Sequence, residues 1–180
     1  MEGEGYRRSF RRVNETGHVR FLTFSTYKRL PLLHHDAIRE LFVERLRIAT
    51  TAKNIRLLAW VVMPEHTHLL VYPEGDPDMG RFGHAFKRPL AEAVLRRWKE
   101  LDAPILRQLS HDDGYRFWQT GGGYDRNLYS PEAIIEKVNY IHANPVRRGM
   151  VAAETDWPWS SARWYAGMPD ALLPCGPIPF

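Results

Sequence analysis

The alternation of apolar and polar positions divides the chain into a short series of elements. Residues 18–26 (HVRFLTFST) are rich in aromatic and β-branched side chains and read as a first strand. From about Asp36 the period changes, and Ile38, Leu41, Phe42, Leu46 and Ala49 fall on one helical stripe. Two apolar runs, 55–63 and 66–72, are separated by Pro64-Glu65, which predicts a two-stranded hairpin. A second helical segment spans about 79–101, with Phe82, Phe86, Val94 and Leu101 inward and Pro89 as a kink or restart. A short strand at 116–119 (RFWQ) ends in Gly121-Gly122-Gly123. The third helix opens with Ser130 as N-cap and Pro131 in its first turn, and is expected to stop near Ala143, ahead of Pro145. The order β-α-β-β-α-β-α predicts an α+β fold: a ferredoxin-like βαββαβ sheet with one added C-terminal helix.

Domain limits follow from the same pattern. Residues 1–17 are polar, basic and glycine-containing, and are expected to form a flexible arm. Residues 18–165 make one domain. Residues 166–180, with four prolines, form an irregular tail.

Composition narrows the setting. At 180 residues, 44% hydrophobic and 26% charged, the chain suits one globular domain. It lacks an apolar run of membrane-spanning length and a secretory signal, and its one cysteine, Cys175, forms no internal disulfide framework; a cytoplasmic protein is expected. The net charge is +4, and of 25 basic residues only Lys28, Lys53, Lys87, Lys99 and Lys137 are lysines. Arginine forks match phosphate oxygens, although a GC-rich genome gives the same bias. The triple glycine has no Lys-Ser/Thr after it, so a nucleotide-binding loop is not expected.

Two groups of residues carry chemistry. His66 and His68 are two apart on a strand, so both imidazoles project from one face, as half of a metal site or as a pair on a solvated face. On the third helix Ile134, Ile135, Val138 and Ile141 form the apolar stripe. Tyr140 lies off it with Lys137 and Asn144, the latter one turn on. A tyrosine there is ordinary half-exposed packing or a nucleophile; Asn144 is a helix-ending residue or a third ligand through its amide oxygen. Phosphate contacts could come from Arg7, Arg8, Arg11, Arg12, Arg126, Lys137, Arg147 and Arg148, each equally readable as solvated surface. Trp157, Trp159 and Trp164 could stack on unpaired bases, or pack in the core or as a latch for the tail.

Taken together, residues 63–71 (MPEHTHLLV) and 140–149 (YIHANPVRRG) resemble the single-tyrosine transposases of the HUH superfamily, in the branch of REP-associated tyrosine transposases. Phe117-Trp118-Gln119, Trp157-Pro158-Trp159-Ser160-Ser161 and the opening His18-Val19-Arg20-Phe21 are similar to that branch, over roughly residues 18–165. The resemblance implies a ferredoxin-like core, with the paired histidines at His66 and His68, the nucleophile at Tyr140 and a third metal ligand at Asn144. Asparagine is frequent in relatives where Glu65 stands. The implied activity is metal-dependent nicking and rejoining of single-stranded DNA through a 5′-phosphotyrosine, with Mg²⁺ or Mn²⁺ as cofactor, hairpin-forming repeats as substrate, and a monomer acting in cis. Three rivals remain: a non-catalytic nucleic-acid-binding module, a metal-dependent nuclease that activates water, and a purely structural reading in which His66 and His68 are surface residues.

Overall fold

The computed structural model describes residues 17–75, 78–112, 114–121 and 123–179. Its elements are β1 (Val19–Ser25), α1 (Asp36–Ala52), β2 (Ile55–Val62), β3 (His66–Pro73), α2 (Met79–Glu100), α3 (Leu106–Leu109), β4 (Ser110–His111), β5 (Gly114–Tyr115), β6 (Tyr124–Leu128), α4 (Pro131–Arg147) and α5 (Ala162–Tyr165). The main sheet has the order β2-β3-β1-β6. Every neighbouring pair in it is antiparallel. This is the ferredoxin-like order expected from the sequence. The arm arginines Arg7, Arg8, Arg11 and Arg12 lie outside the described residues. Among the described residues no helix is long and apolar enough to cross a membrane.

Strand alternation assigns the two faces of the sheet. On one face Phe24 of β1 meets Phe86 of α2 with ring centroids 5.5 Å apart, and Phe86 in turn meets Phe42 of α1 at 5.5 Å. On the other face Phe21, two residues before Thr23, meets Tyr140 of α4. The sheet is therefore a layer between the α1–α2 pair and the single helix α4. Phe42, Phe82, Phe86, Leu46 and Leu90 are fully buried and fill the first interface. Burying aromatic side chains of this size contributes roughly 1.5–3 kcal/mol each.

Several expectations need correction. The fourth strand of the sheet is Tyr124–Leu128, after the glycines, and not RFWQ. In that earlier segment Phe117 plugs the core and Trp118 makes a single bridge to Thr26. An edge strand that buries only Leu128 carries no apolar run to betray it. Helix α2 runs unbroken through Pro89, and Leu101, just past its end, is exposed. Helix α4 likewise continues through Pro145 to Arg147. Proline removes only its own N–H, and the following amides still bond: Arg148 to the Asn144 carbonyl at 3.1 Å and Gly149 to that of Val146 at 2.9 Å. Ile135 is exposed as well; the stripe that α4 lays on the sheet is Ile134, Val138, Ile141 and Pro145.

The segment 157–161 does not offer its tryptophans to solvent. Trp157 and Trp159 are buried, whereas Trp164 is half-exposed. Their backbone covers the outer edge of β2: Val62 N–H donates to the Trp159 carbonyl at 2.8 Å and Ser161 N–H to that of Trp60 at 2.9 Å. Trp157 Nε1 donates to the Val62 carbonyl at 3.1 Å. The tail is irregular but docked, with Leu173 buried and Gly176 N–H donating to Leu57 at 2.8 Å. The Ser161 hydroxyl accepts from Trp60 N–H at 2.9 Å and lies 2.8 Å from His142 Nε2 on α4. It thus joins edge strand, tail and α4. Ser161→Ala leaves two buried polar groups unpartnered and is expected to lower the unfolding free energy by about 2 kcal/mol, measured by urea denaturation. A loss below about 0.5 kcal/mol would remove this hydroxyl from the list of structural supports.

Candidate active site

The His pair begins β3, directly after a turn that is held from three sides. Met63 N–H donates to the His66 carbonyl at 2.8 Å, Thr26 N–H to Glu65 at 3.0 Å and Leu33 N–H to Pro64 at 2.8 Å. Strand β3 lies between β2 and β1, so its backbone is paired on both sides. In this register Thr67 faces the opposite side and donates its hydroxyl to the Val61 carbonyl at 2.8 Å. His66 and His68 then share one face, with ring centroids 4.7 Å apart. Both are buried.

Each ring has one nitrogen engaged behind it. His68 Nδ1 lies 2.7 Å from the hydroxyl of Thr23, its cross-strand partner on β1. His66 Nδ1 lies 3.0 Å from Glu65 Oε1. Nε2 is therefore the nitrogen of each ring left for the cavity. Burial lowers the pKa of both imidazoles, for His66 against the pull of Glu65 and for His68 to about 3 with help from the neighbouring His66. Both are neutral at pH 7, the state in which imidazole donates a lone pair.

Helix α4 crosses above this pair. The half-buried Tyr140 ring stands edge-on to His68 at 5.4 Å and to Phe21 at 6.0 Å. Because α4 continues through Pro145, Asn144 and Arg147 stay in helical phase with Tyr140. Asn144 is buried, and its side-chain amide has no hydrogen-bond partner among the described residues. The Arg147 guanidinium sits 5.3 Å and the Lys137 ammonium 5.4 Å from the centre of the Tyr140 ring. A cavity of about 310 Å³ opens here, lined by His66, His68, Tyr140 and Asn144 together with Thr23, Arg29, Arg147 and Arg148.

The structure thus gathers six of the residues singled out from sequence: His66, His68, Tyr140, Asn144, Arg147 and Arg148. Lys137 stands at the rim, paired with Glu136 at 2.8 Å. Arg126 does not line the cavity; it is exposed on β6, opposite Phe21. Thr23 and Arg29 were missed. No local signal in the sequence marks them, because the β1–β3 register and the turn after β1 bring them in. Two neutral imidazoles with supported Nδ1 atoms and an unpartnered amide suit a divalent ion that keeps open positions for other oxygens. Among the described residues no three His, Cys, Asp or Glu side chains converge, which is a poor donor set for structural zinc.

A sequence profile described as "Transposase IS200 like" matches residues 16–130. The chain belongs to the IS200-like transposase family. That match carries the His pair and ends just before α4, so Tyr140 stands outside it. This family member is 32% identical over 105 residues to a REP-associated tyrosine transposase of Escherichia coli (strain K12), covering 57% of this chain and 52% of that protein. The aligned region therefore spans about half the length of that relative. A Haemophilus influenzae relative is 26% identical over 160 residues, 87% of this chain and 84% of its own length. In fold, the chain is similar to a REP-associated tyrosine transposase solved bound to a REP hairpin, with a TM-score of 0.68 at 23% identity, covering 95% of this chain and 93% of that one. The family resemblance drawn from the sequence is borne out.

The buried histidines also predict a pH dependence of stability. His142, on the core side of α4, is likewise lowered by burial, to about 4. An unfolded histidine takes up a proton near pH 6.5, whereas these folded rings stay neutral until about 4 or 3. Their contribution is therefore complete above about pH 6.5 and is lost on acidification through that window. In EDTA, lowering the pH from 7 to 5 is expected to cost on the order of 2 kcal/mol for each of His68 and His142. Urea unfolding at the two pH values measures this, and His142→Gln should flatten the dependence. An unchanged slope in that variant would contradict the assignment.

Proposed function

We propose that the protein is a metal-dependent enzyme that nicks and rejoins single-stranded DNA through a 5′-phosphotyrosine on Tyr140, acting on hairpin-forming repeat DNA. The observation that carries this reading is the convergence of Tyr140, the supported His66–His68 pair and Asn144 on one cavity rimmed by arginines. The REP-associated transposase solved with a REP hairpin supports hairpin DNA as the substrate class.

The roles follow from the chemistry of each group. His66 and His68, through Nε2, and Asn144, through its amide oxygen, would hold Mg²⁺ or Mn²⁺. When bound, the ion withdraws charge from a non-bridging phosphate oxygen and favours in-line displacement. Arg29 and Arg148 border the same space and would hold the phosphate by charge-assisted hydrogen bonds. Arg147 and Lys137 bring positive charge to the phenol ring, stabilising negative charge as it develops on the Tyr140 oxygen. The phenol proton goes to solvent, the Tyr140 oxygen bonds to phosphorus, and the bond from phosphorus to the 3′ oxygen breaks. The leaving oxygen takes a proton and becomes a free 3′-hydroxyl. The aryl phosphate keeps the bond energy, so a 3′-hydroxyl can attack it, release Tyr140 and restore the phosphodiester without ATP.

The test is covalent trapping on end-labelled single-stranded hairpin DNA with Mn²⁺. A labelled protein band should form, disappear in EDTA, be absent in Tyr140→Phe, and form about 100-fold more slowly or worse in His66→Ala and His68→Ala. Cleavage that survives Tyr140→Phe with no band would point to a water-using nuclease. Binding with neither band nor cleavage would leave a non-catalytic module.

A further inference from the structure

Glu65 is an acidic side chain directly behind His66, one of the residues that line the cavity. Its side chain is 10% exposed, and its backbone carbonyl accepts from the Thr26 N–H at 3.0 Å and the Thr26 hydroxyl at 2.9 Å. One oxygen, Oε1, gathers three partners: Arg148 Nη1 at 2.6 Å, His66 Nδ1 at 3.0 Å and Arg29 Nη2 at 3.5 Å. The guanidiniums of Arg148 and Arg29 both meet this oxygen, so the side chain is held there as a carboxylate acceptor. A buried carboxylate without partners would be costly; this one has them on three different elements.

The contacts divide into two consequences. An ionised carboxylate can only accept, so the proton of a neutral His66 must sit on Nδ1 and the Nε2 lone pair is left for the cavity. Arg148 is the residue that follows the last turn of α4, so its bond to Glu65 joins the end of the tyrosine helix to the start of β3, 83 residues apart in the chain. We infer that Glu65 is a positioning residue: it sets the His66 tautomer and, through Arg148, holds the helix carrying Tyr140 and Asn144 over the His pair. The inference rests on the reading of His66 as a metal ligand only in what the exposed Nε2 is for; the proton placement itself is a property of the metal-free protein.

Two measurements separate these. Long-range ¹⁵N–¹H correlation spectra of the histidine rings in EDTA should show His66 as the Nδ1–H tautomer, and Glu65→Ala should move it toward the Nε2–H form. Electron paramagnetic resonance titration should show Mn²⁺ binding weakened about 10- to 100-fold in Glu65→Ala. Glu65→Gln, which keeps shape and an acceptor oxygen, should fall between, and it carries the comparison if the alanine variant does not fold. An Nε2–H tautomer in the wild-type protein, or a folded Glu65→Ala protein that binds Mn²⁺ as tightly as wild type, would overturn the inference. A wild-type Nδ1–H tautomer without Mn²⁺ binding would uphold the proton placement and overturn the metal reading instead.

Discussion

The arrangement depends on the position of β3. A strand paired on both sides cannot shift its register without breaking two ladders, and a one-residue slip would turn every side chain to the wrong face. That constraint holds His66 and His68 toward α4 while Thr67 and Leu69 face the other side of the sheet. It also sets Thr23 opposite His68, so the support for one imidazole is built into the β1–β3 ladder rather than supplied by a loop. Placing a site on the most constrained strand gives its donors a fixed geometry at no further cost in ordering.

Helix α4 is positioned by its own apolar stripe and by polar ties at both faces of its C-terminal half. Ile134, Val138 and Ile141 lie against the sheet, His142 reaches Ser161, and Arg148 reaches Glu65. The polar side of the helix, with Tyr140, Asn144 and Arg147, is then turned onto the cavity. The proline at position 145 does not end this face, which is why a cation two turns beyond the tyrosine can still sit against its ring.

What the sequence revealed and what it hid follow a physical division. Elements with strong periodicity were legible: α1, the β2–β3 hairpin and the capped start of α4 all stand where the pattern put them. The strand β6 was not, because an edge strand of Tyr-Asp-Arg-Asn-Leu buries too little to show an apolar rhythm. The end of α4 at Pro145 was misjudged, since a proline in a last turn still leaves the following amides bonded, and Leu101 caps α2 exposed rather than inward. In the site, residues clustered along one element, such as His66 with His68 or Tyr140 with Asn144, could be paired by spacing alone. Thr23 and Arg29 join only through tertiary register, which no local spacing encodes. The role of Glu65 was hidden for the same reason: its partner Arg148 lies across the fold.

The covering of β2 by the C-terminal segment has a consequence for biosynthesis. Trp60 waits for Ser161, 101 residues further on, and for Leu173, 113 further on, before its strand edge is closed. At a translation rate of about 5–20 residues per second, that leaves an apolar strand with an open edge for roughly 5–20 s. Such an edge is a template for pairing with another chain. The nascent protein is thus vulnerable to aggregation in the interval between the hairpin and the tail, and a chain cut off between Arg148 and Trp157 would carry every site residue with its sheet unsealed.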